Sequence, residues 1–121
     1  MKKILFVEDE SALQKTLGDA LIREGYEVIS ALDGEIGLRL AAEKMPDLIL
    51  LDLVLPKLNG FEVLAELKKN PATVSIPVIV LTNLENMEDI QRVLELGART
   101  YLVKSNYALR DVIAKIQQAC A

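Results

Sequence analysis

Leu48-Ile49-Leu50-Leu51-Asp52-Leu53-Val54-Leu55-Pro56 is the stretch whose reading decides the fold. Leu48 to Leu51 is a continuous apolar run, too short for a helix, which needs about ten residues or more; it therefore predicts a strand buried on both faces, as in a parallel sheet. Asp52 ends the run. In open α/β sheets ligands gather at the carboxyl ends of strands, so a carboxylate there either shapes a turn or does chemistry.

The same grammar repeats on both sides of this strand. Ile4 to Val7 is a short apolar run closed by Glu8-Asp9-Glu10-Ser11, and Leu13, Leu17, Ala20 and Leu21 then recur at helical spacing until Gly25. Tyr26 to Ser30 predicts a second strand. Asp33-Gly34 supplies a turn and cap for a helix carrying Ile36, Leu40 and Ala41, which ends near Met45-Pro46. Beyond Asp52, Pro56 and Gly60 bound a loop, and Phe61, Val63, Leu64 and Leu67 mark a helix stopped by Asn70-Pro71. Pro77 to Leu81 predicts a buried strand followed by Thr82-Asn83. Ile90, Val93 and Leu94 mark a helix closed by Gly97, Thr100 to Val103 a strand ended by Lys104, and Leu109, Val112, Ile113 and Ile116 a last helix.

Five alternating βα units with continuous apolar strands predict one α/β domain over residues 1–121. Right-handed crossovers place helices on both faces of a doubly wound five-stranded parallel sheet, of flavodoxin-like order 2-1-3-4-5. In that order strands 1 and 3 are neighbours, so Glu8, Asp9 and Asp52 meet at one edge.

Composition narrows the chemistry. The chain has 121 residues, 51% of them apolar, enough for one core. Its 14 Lys and Arg against 18 Asp and Glu leave a net charge of −4, with the basic residues scattered, so direct nucleic-acid binding and attraction to anionic lipid are not expected. With no histidine and a single cysteine, Cys120, expected as an ordinary thiol on a frayed terminus, any metal site must be built from oxygen ligands. No run approaches the roughly 20 apolar residues of a membrane span, and the amino-terminal run is too short for a signal-peptide core. The expected location is cytoplasmic.

Three carboxylates brought together repel one another unless a cation joins them, and an all-oxygen cluster of this kind suits Mg²⁺. Taken singly, Glu8 and Asp9 could be helix-start acids, Asp52 a turn former, Thr82 a strand residue and Lys104 a solvated charge. Together they are acids, acid, hydroxyl and amine at the ends of strands 1, 3, 4 and 5. Those are the parts phosphoryl transfer requires: carboxylates for a cation, a carboxylate nucleophile, and donors for phosphoryl oxygens.

At this point the chain resembles the receiver domain of two-component response regulators, over essentially all of its length. The matching residues are Glu8-Asp9 after the first strand, Asp52 within Leu-Asp-Leu-Val-Leu-Pro-Lys-Leu-Asn-Gly, Thr82 after the fourth strand, and Tyr101-Leu-Val-Lys104 at the fifth. The resemblance implies that Asp52 accepts a phosphoryl group from a histidine kinase or phosphotransfer protein. It implies Mg²⁺ held by Asp9, Asp52 and the backbone carbonyl of Val54, with Glu8 acting through water. Lys104 pairs with the phosphoryl group, and the Thr82 hydroxyl and the Asn83 backbone N–H donate to it. Thr82 and Tyr101 then act as switch residues that remodel a face of helix 4, strand 5 and helix 5, where a downstream protein docks. On this reading the protein is a stand-alone receiver, monomer or weak dimer, and no enzyme beyond self-catalysed phosphoryl acceptance and autodephosphorylation. No output domain follows helix 5, unless the sequence is a piece of a longer one.

Departures from the pattern carry their own expectations. Ser105 follows Lys104 where the family usually has a proline in a cis bond; before a non-proline residue a cis bond costs about 2.5–4 kcal/mol, so a trans bond is expected. Asn83 is larger than the family's usual small residue. Val54 and Leu84 are apolar where they flank the phosphoryl site, which predicts a slower attack of water and a longer-lived phosphoaspartate. For Ile90 and Leu94 a core-facing role is favoured over a docking role.

Two other classes remain. A phosphatase with an aspartyl-phosphate intermediate commonly needs a second acid two residues after the nucleophile, where Val54 stands. A binding module of the same fold, either a flavin carrier or a silent adaptor, lacks support from a Walker A or Gly-x-Gly-x-x-Gly pattern.

Overall fold

The computed structural model describes residues 1–120. Five strands and five helices alternate: β1 Lys3–Val7, α1 Ser11–Arg23, β2 Glu27–Ala31, α2 Gly34–Lys44, β3 Leu48–Leu51, α3 Gly60–Lys69, β4 Val78–Thr82, α4 Met87–Glu95, β5 Thr100–Val103 and α5 Leu109–Cys120. All strand pairs are parallel, in the order β2-β1-β3-β4-β5. This is the doubly wound flavodoxin-like sheet expected from the alternation.

Alternate residues of the buried strands serve opposite faces, as the two-residue period of a strand requires. Leu5, Val7, Ile49, Leu51, Val78 and Val80 pack against α2, α3 and α4. Ile4, Phe6, Leu48, Leu50, Ile79 and Leu81 pack against α1 and α5. β3 is wholly buried on both faces. Asn59 caps α3 through a reciprocal box with Glu62, and Asp33 caps α2 by accepting from the Ile36 N–H. Gly25 and Gly97 both have positive φ, which explains the helix stops read at those positions.

Several expectations need correction. β2 and β4 lie one residue later than their apolar runs suggested, so Thr82 is the last residue of β4 rather than the first after it. Lys104–Asn106 form a single 3₁₀ turn that periodicity could not show. Leu94, expected toward the core, is 46% exposed. Helix α4 buries only Val93 fully, because its inward stripe is one residue wide, and Arg92 on its flank stacks on Phe61 of α3 with 4.2 Å to the ring centroid. Cys120 is the half-buried end of α5, packed against the α1/α5 face of the core, and not a frayed thiol. All described peptide bonds are trans, Lys104-Ser105 included.

Candidate functional site

Register builds the site. Val7 of β1 lies opposite Leu51 of β3, so the next residues, Glu8 and Asp52, leave the sheet side by side. Backbone bonds fix both: the Asp52 N–H donates to the Val7 carbonyl at 3.0 Å and the Glu8 N–H to the Ala31 carbonyl at 2.9 Å. Thr82 lies opposite Val103, which delivers Lys104 to the same edge from β5.

The side chains converge. Lys104 Nζ lies 2.6 Å from Glu8 Oε1 and donates to Asp52 Oδ2 at 3.0 Å. The other Asp52 oxygen, Oδ1, accepts from the Leu53 N–H at 2.7 Å, which fixes the carboxylate plane. Glu8 Oε2 accepts from the Glu10 N–H at 3.1 Å. Glu8, Asp9 and Asp52 each offer an oxygen within 4.8 Å of the others; Glu8 and Asp52 are buried, while Asp9 is exposed at the mouth. A cleft of about 270 Å³ joins these acids to Val54, Thr82, Asn83 and Lys104.

Electrostatics follow from that crowding. Burial pushes the Glu8 carboxyl up to about 7, assisted by the neighbouring Asp52 charge and opposed by Lys104. Burial pulls the Lys104 ammonium down, but its bonds to Glu8 and Asp52 outweigh this and hold it above its ordinary value. Three carboxyl groups, rich in hard oxygen ligands, face a single ammonium. That donor set fits a divalent cation such as Mg²⁺.

Thr82 Oγ1 is fully buried at the cleft and has no hydrogen-bond partner among the described residues. A buried hydroxyl without a partner is costly, and this one belongs to a residue that lines the cleft. Glu8, Asp9, Asp52, Val54, Thr82, Asn83 and Lys104 line the cleft as expected, whereas Leu84, expected to flank the phosphoryl site, does not line it and packs on the core instead. Tyr101 stands outside. Its half-buried ring packs on the core, and its hydroxyl donates to the Leu84 carbonyl in the loop between β4 and α4.

Sequence reasoning passed over Gln14. Its side chain is buried on α1 and bonds three carbonyls near the acids. A polar residue in register with Leu17 and Leu21 on an otherwise apolar stripe was the available signal.

Fold and site together define a doubly wound α/β domain whose carboxyl edge holds an acid cluster, a lysine and an unpartnered hydroxyl. Residues 4–117 match the response regulator receiver domain, and the chain belongs to that family. It is 41% identical over 116 residues to the alkaline phosphatase synthesis transcriptional regulatory protein PhoP of Bacillus subtilis, covering 96% of this chain and 47% of that one. The chain spans about half the length of several curated relatives it matches. Among solved structures, it is similar to a response regulator receiver domain protein from Methanospirillum hungatei, with 30% identity, TM-score 0.91, and coverage of 99% of this chain and 94% of that one. It is also similar to the Mn²⁺-bound form of response regulator Rcp1, with 38% identity, TM-score 0.80, and coverage of 98% and 91%. No described helix is long and apolar enough to cross a membrane.

Proposed function

We propose that Asp52 is the phosphoacceptor of a two-component signalling switch, taking its phosphoryl group from a histidine kinase or phosphotransfer protein. The observation that carries this reading is the contact of Lys104 with Asp52 in the cleft that also holds the unpartnered Thr82 hydroxyl. An Asp52 oxygen attacks phosphorus while the bond to the donor's leaving group breaks. The backbone bond from Leu53 holds the attacking carboxylate in one orientation. Lys104, already at the reacting edge, offsets charge on the phosphoryl oxygens, and the Thr82 hydroxyl and Asn83 backbone N–H donate to them.

Asp9, Asp52 and the backbone carbonyl of Val54 would hold Mg²⁺, with Glu8 acting through water, and the ion supplies charge neutralisation at the phosphoryl group. The Mn²⁺-bound form of the related Rcp1 supports a divalent cation here. The domain promotes only its own phosphorylation and hydrolysis and turns over no other substrate. It works in the cytoplasm without contacting nucleic acid or membrane itself, as a monomer or weak dimer.

Phosphorylation adds charge and acceptor oxygens that engage Thr82 and Lys104. Drawing Thr82 inward alters the loop that Tyr101 holds at Leu84. Helix α4, with one fully buried residue, is the element most easily shifted. The face of α4, β5 and α5, with exposed Leu94 and half-buried Ile90 and Tyr101, then binds a downstream protein. Moving such a switch from 1:99 to 99:1 takes about 5.5 kcal/mol, more than a few hydrogen bonds supply, so the partner completes the shift.

Intact-mass spectrometry after incubation with acetyl phosphate tests the reading. One phosphoryl adduct that requires both Mg²⁺ and Asp52, and is absent from Asp52→Asn, is the expected result. No adduct on folded, Mg²⁺-binding wild type would favour the silent adaptor.

The cleft wall predicts the lifetime of that adduct. Val54 is 59% exposed at the mouth, where its side chain presents no hydrogen-bonding group to an incoming water. Val54→Asn is expected to speed dephosphorylation several-fold, followed as phosphate release from purified phosphoprotein; an unchanged rate would remove the role given to Val54.

A further inference from the structure

We propose that Gln14 is a positioning residue for the metal-binding acids, setting the direction of the peptide that joins Glu8 to Asp9. This rests on the receiver reading above and extends it to a residue outside the cleft.

Gln14 sits on the buried face of α1, behind the acid loop. Its Nε2 donates to the Phe6 carbonyl at 2.9 Å, the Glu8 carbonyl at 3.1 Å and the Ala31 carbonyl at 3.2 Å. Two amide hydrogens serve three acceptors, so at least one is shared. These carbonyls close β1 and β2 at the carboxyl edge of the sheet. The Ala31 carbonyl also accepts the Glu8 N–H. Glu8 is thus tied at both ends of its backbone: its N–H to Ala31, and its carbonyl to Gln14.

The Glu8 carbonyl belongs to the peptide whose nitrogen is that of Asp9. Fixing that carbonyl fixes the peptide plane from which the Asp9 backbone departs, and so narrows the range of separations open to the two carboxylates. Asp9 itself is exposed, with no described hydrogen bond or ion pair to hold it.

A second observation sets this apart from ordinary packing. Gln14 Oε1 is buried without a partner among the described residues. An apolar residue of similar length would fill the same space and remove that unmet acceptor, but it would leave the Glu8 carbonyl without its donor, so the bonds to the carbonyls account for an amide here. Turning the amide over would bring Oε1 against three carbonyl oxygens, so the donor orientation is the one the surroundings allow.

The test is Mn²⁺ affinity, measured by electron paramagnetic resonance without any phosphoryl donor, alongside the thermal midpoint of the metal-free protein. Gln14→Met keeps the length and removes the donors. It is expected to weaken Mn²⁺ binding about tenfold, as loss of an outer-shell partner typically does, and to lower the thermal midpoint, because the Glu8 carbonyl loses its donor. Gln14→Arg returns donors and is expected to recover most of the affinity. Leu21→Ala, a core change on the same helix, is expected to lower the midpoint without weakening Mn²⁺ binding. Affinity of Gln14→Met within about twofold of wild type, or an equal loss in Leu21→Ala, would overturn the proposal. If Gln14→Met does not fold, Gln14→Asn, whose shorter amide cannot span the three carbonyls, must show the loss instead. Wild type that binds no Mn²⁺ would overturn the receiver reading itself, a result visible before any variant is compared.

Discussion

In metal-free buffer the domain is expected to lose about 3 kcal/mol of stability as pH rises from below 4.5 to above 7, through Glu8 alone. Burial lifts the folded-state pKa of Glu8 to about 7 from an ordinary value of 4.5. Between those values the folded chain holds a proton that the unfolded chain has released, so stability falls as pH rises. Lys104 does not offset this slope. Its raised pKa means that its contribution is fully present throughout the window and is lost only in strong alkali. Other carboxylates titrate in the same range, so the measurement is a difference. Urea unfolding of wild type and Glu8→Gln at pH 5 and pH 8 should show a steeper fall for wild type, and equal slopes would remove Glu8 as the source. Saturating Mg²⁺ should shrink the fall, since the ion favours the ionised carboxylate.

Gly60→Ala is expected to cost about 3 kcal/mol and to lower the thermal midpoint by on the order of 10 °C. Gly60 opens α3, and its N–H donates to the Leu53 carbonyl at 3.0 Å. A Cβ there would lie 2.3 Å from the Asp52 carbonyl oxygen and 2.5 Å from Leu53 Cα. Both obstacles are backbone, so no side chain can swing away. Relief must come from moving either the end of β3 that carries Asp52 or the helix. The folded fraction should therefore also phosphorylate more slowly. Gly18→Ala provides the contrast within the same chain. A Cβ at Gly18 meets only Val28 Cγ1 at 4.0 Å, so helix propensity decides the sign and the variant should gain up to about 1 kcal/mol. A Gly60→Ala protein as stable as wild type would show that the two segments separate more freely than their packing implies.

The parts of this architecture that were legible in the sequence were those written in period and punctuation. The continuous run from Leu48 to Leu51 is wholly buried, and the alternation of strands and helices yields the observed sheet order. Site residues at strand ends were legible because a parallel sheet collects its carboxyl ends at one edge, so one-dimensional positions translate directly into neighbours. Leu94 misled because an isolated apolar residue beside Val93 does not say which of them faces inward, and helix geometry turns adjacent residues about 100° apart. The ion pairs of Lys104 with Glu8 and Asp52 depend on side-chain reach, which no spacing rule contains. Gln14 was hidden for a related reason. Its partners are backbone carbonyls of two strands, and backbone acceptors leave no trace in residue identity.

Neighbouring strands are about 4.8 Å apart, so β5 lies roughly 10 Å from β3, with β4 between them. The Lys104 and Asp52 side chains close that distance between them, and Lys104 also touches Glu8 at the end of β1, one strand further on. The sheet acts as a ruler, and position 104 must match it in length as well as in charge. A cationic side chain one methylene shorter would carry the same charge yet stop short of the acids. Reach and charge are thus separate requirements met by one residue.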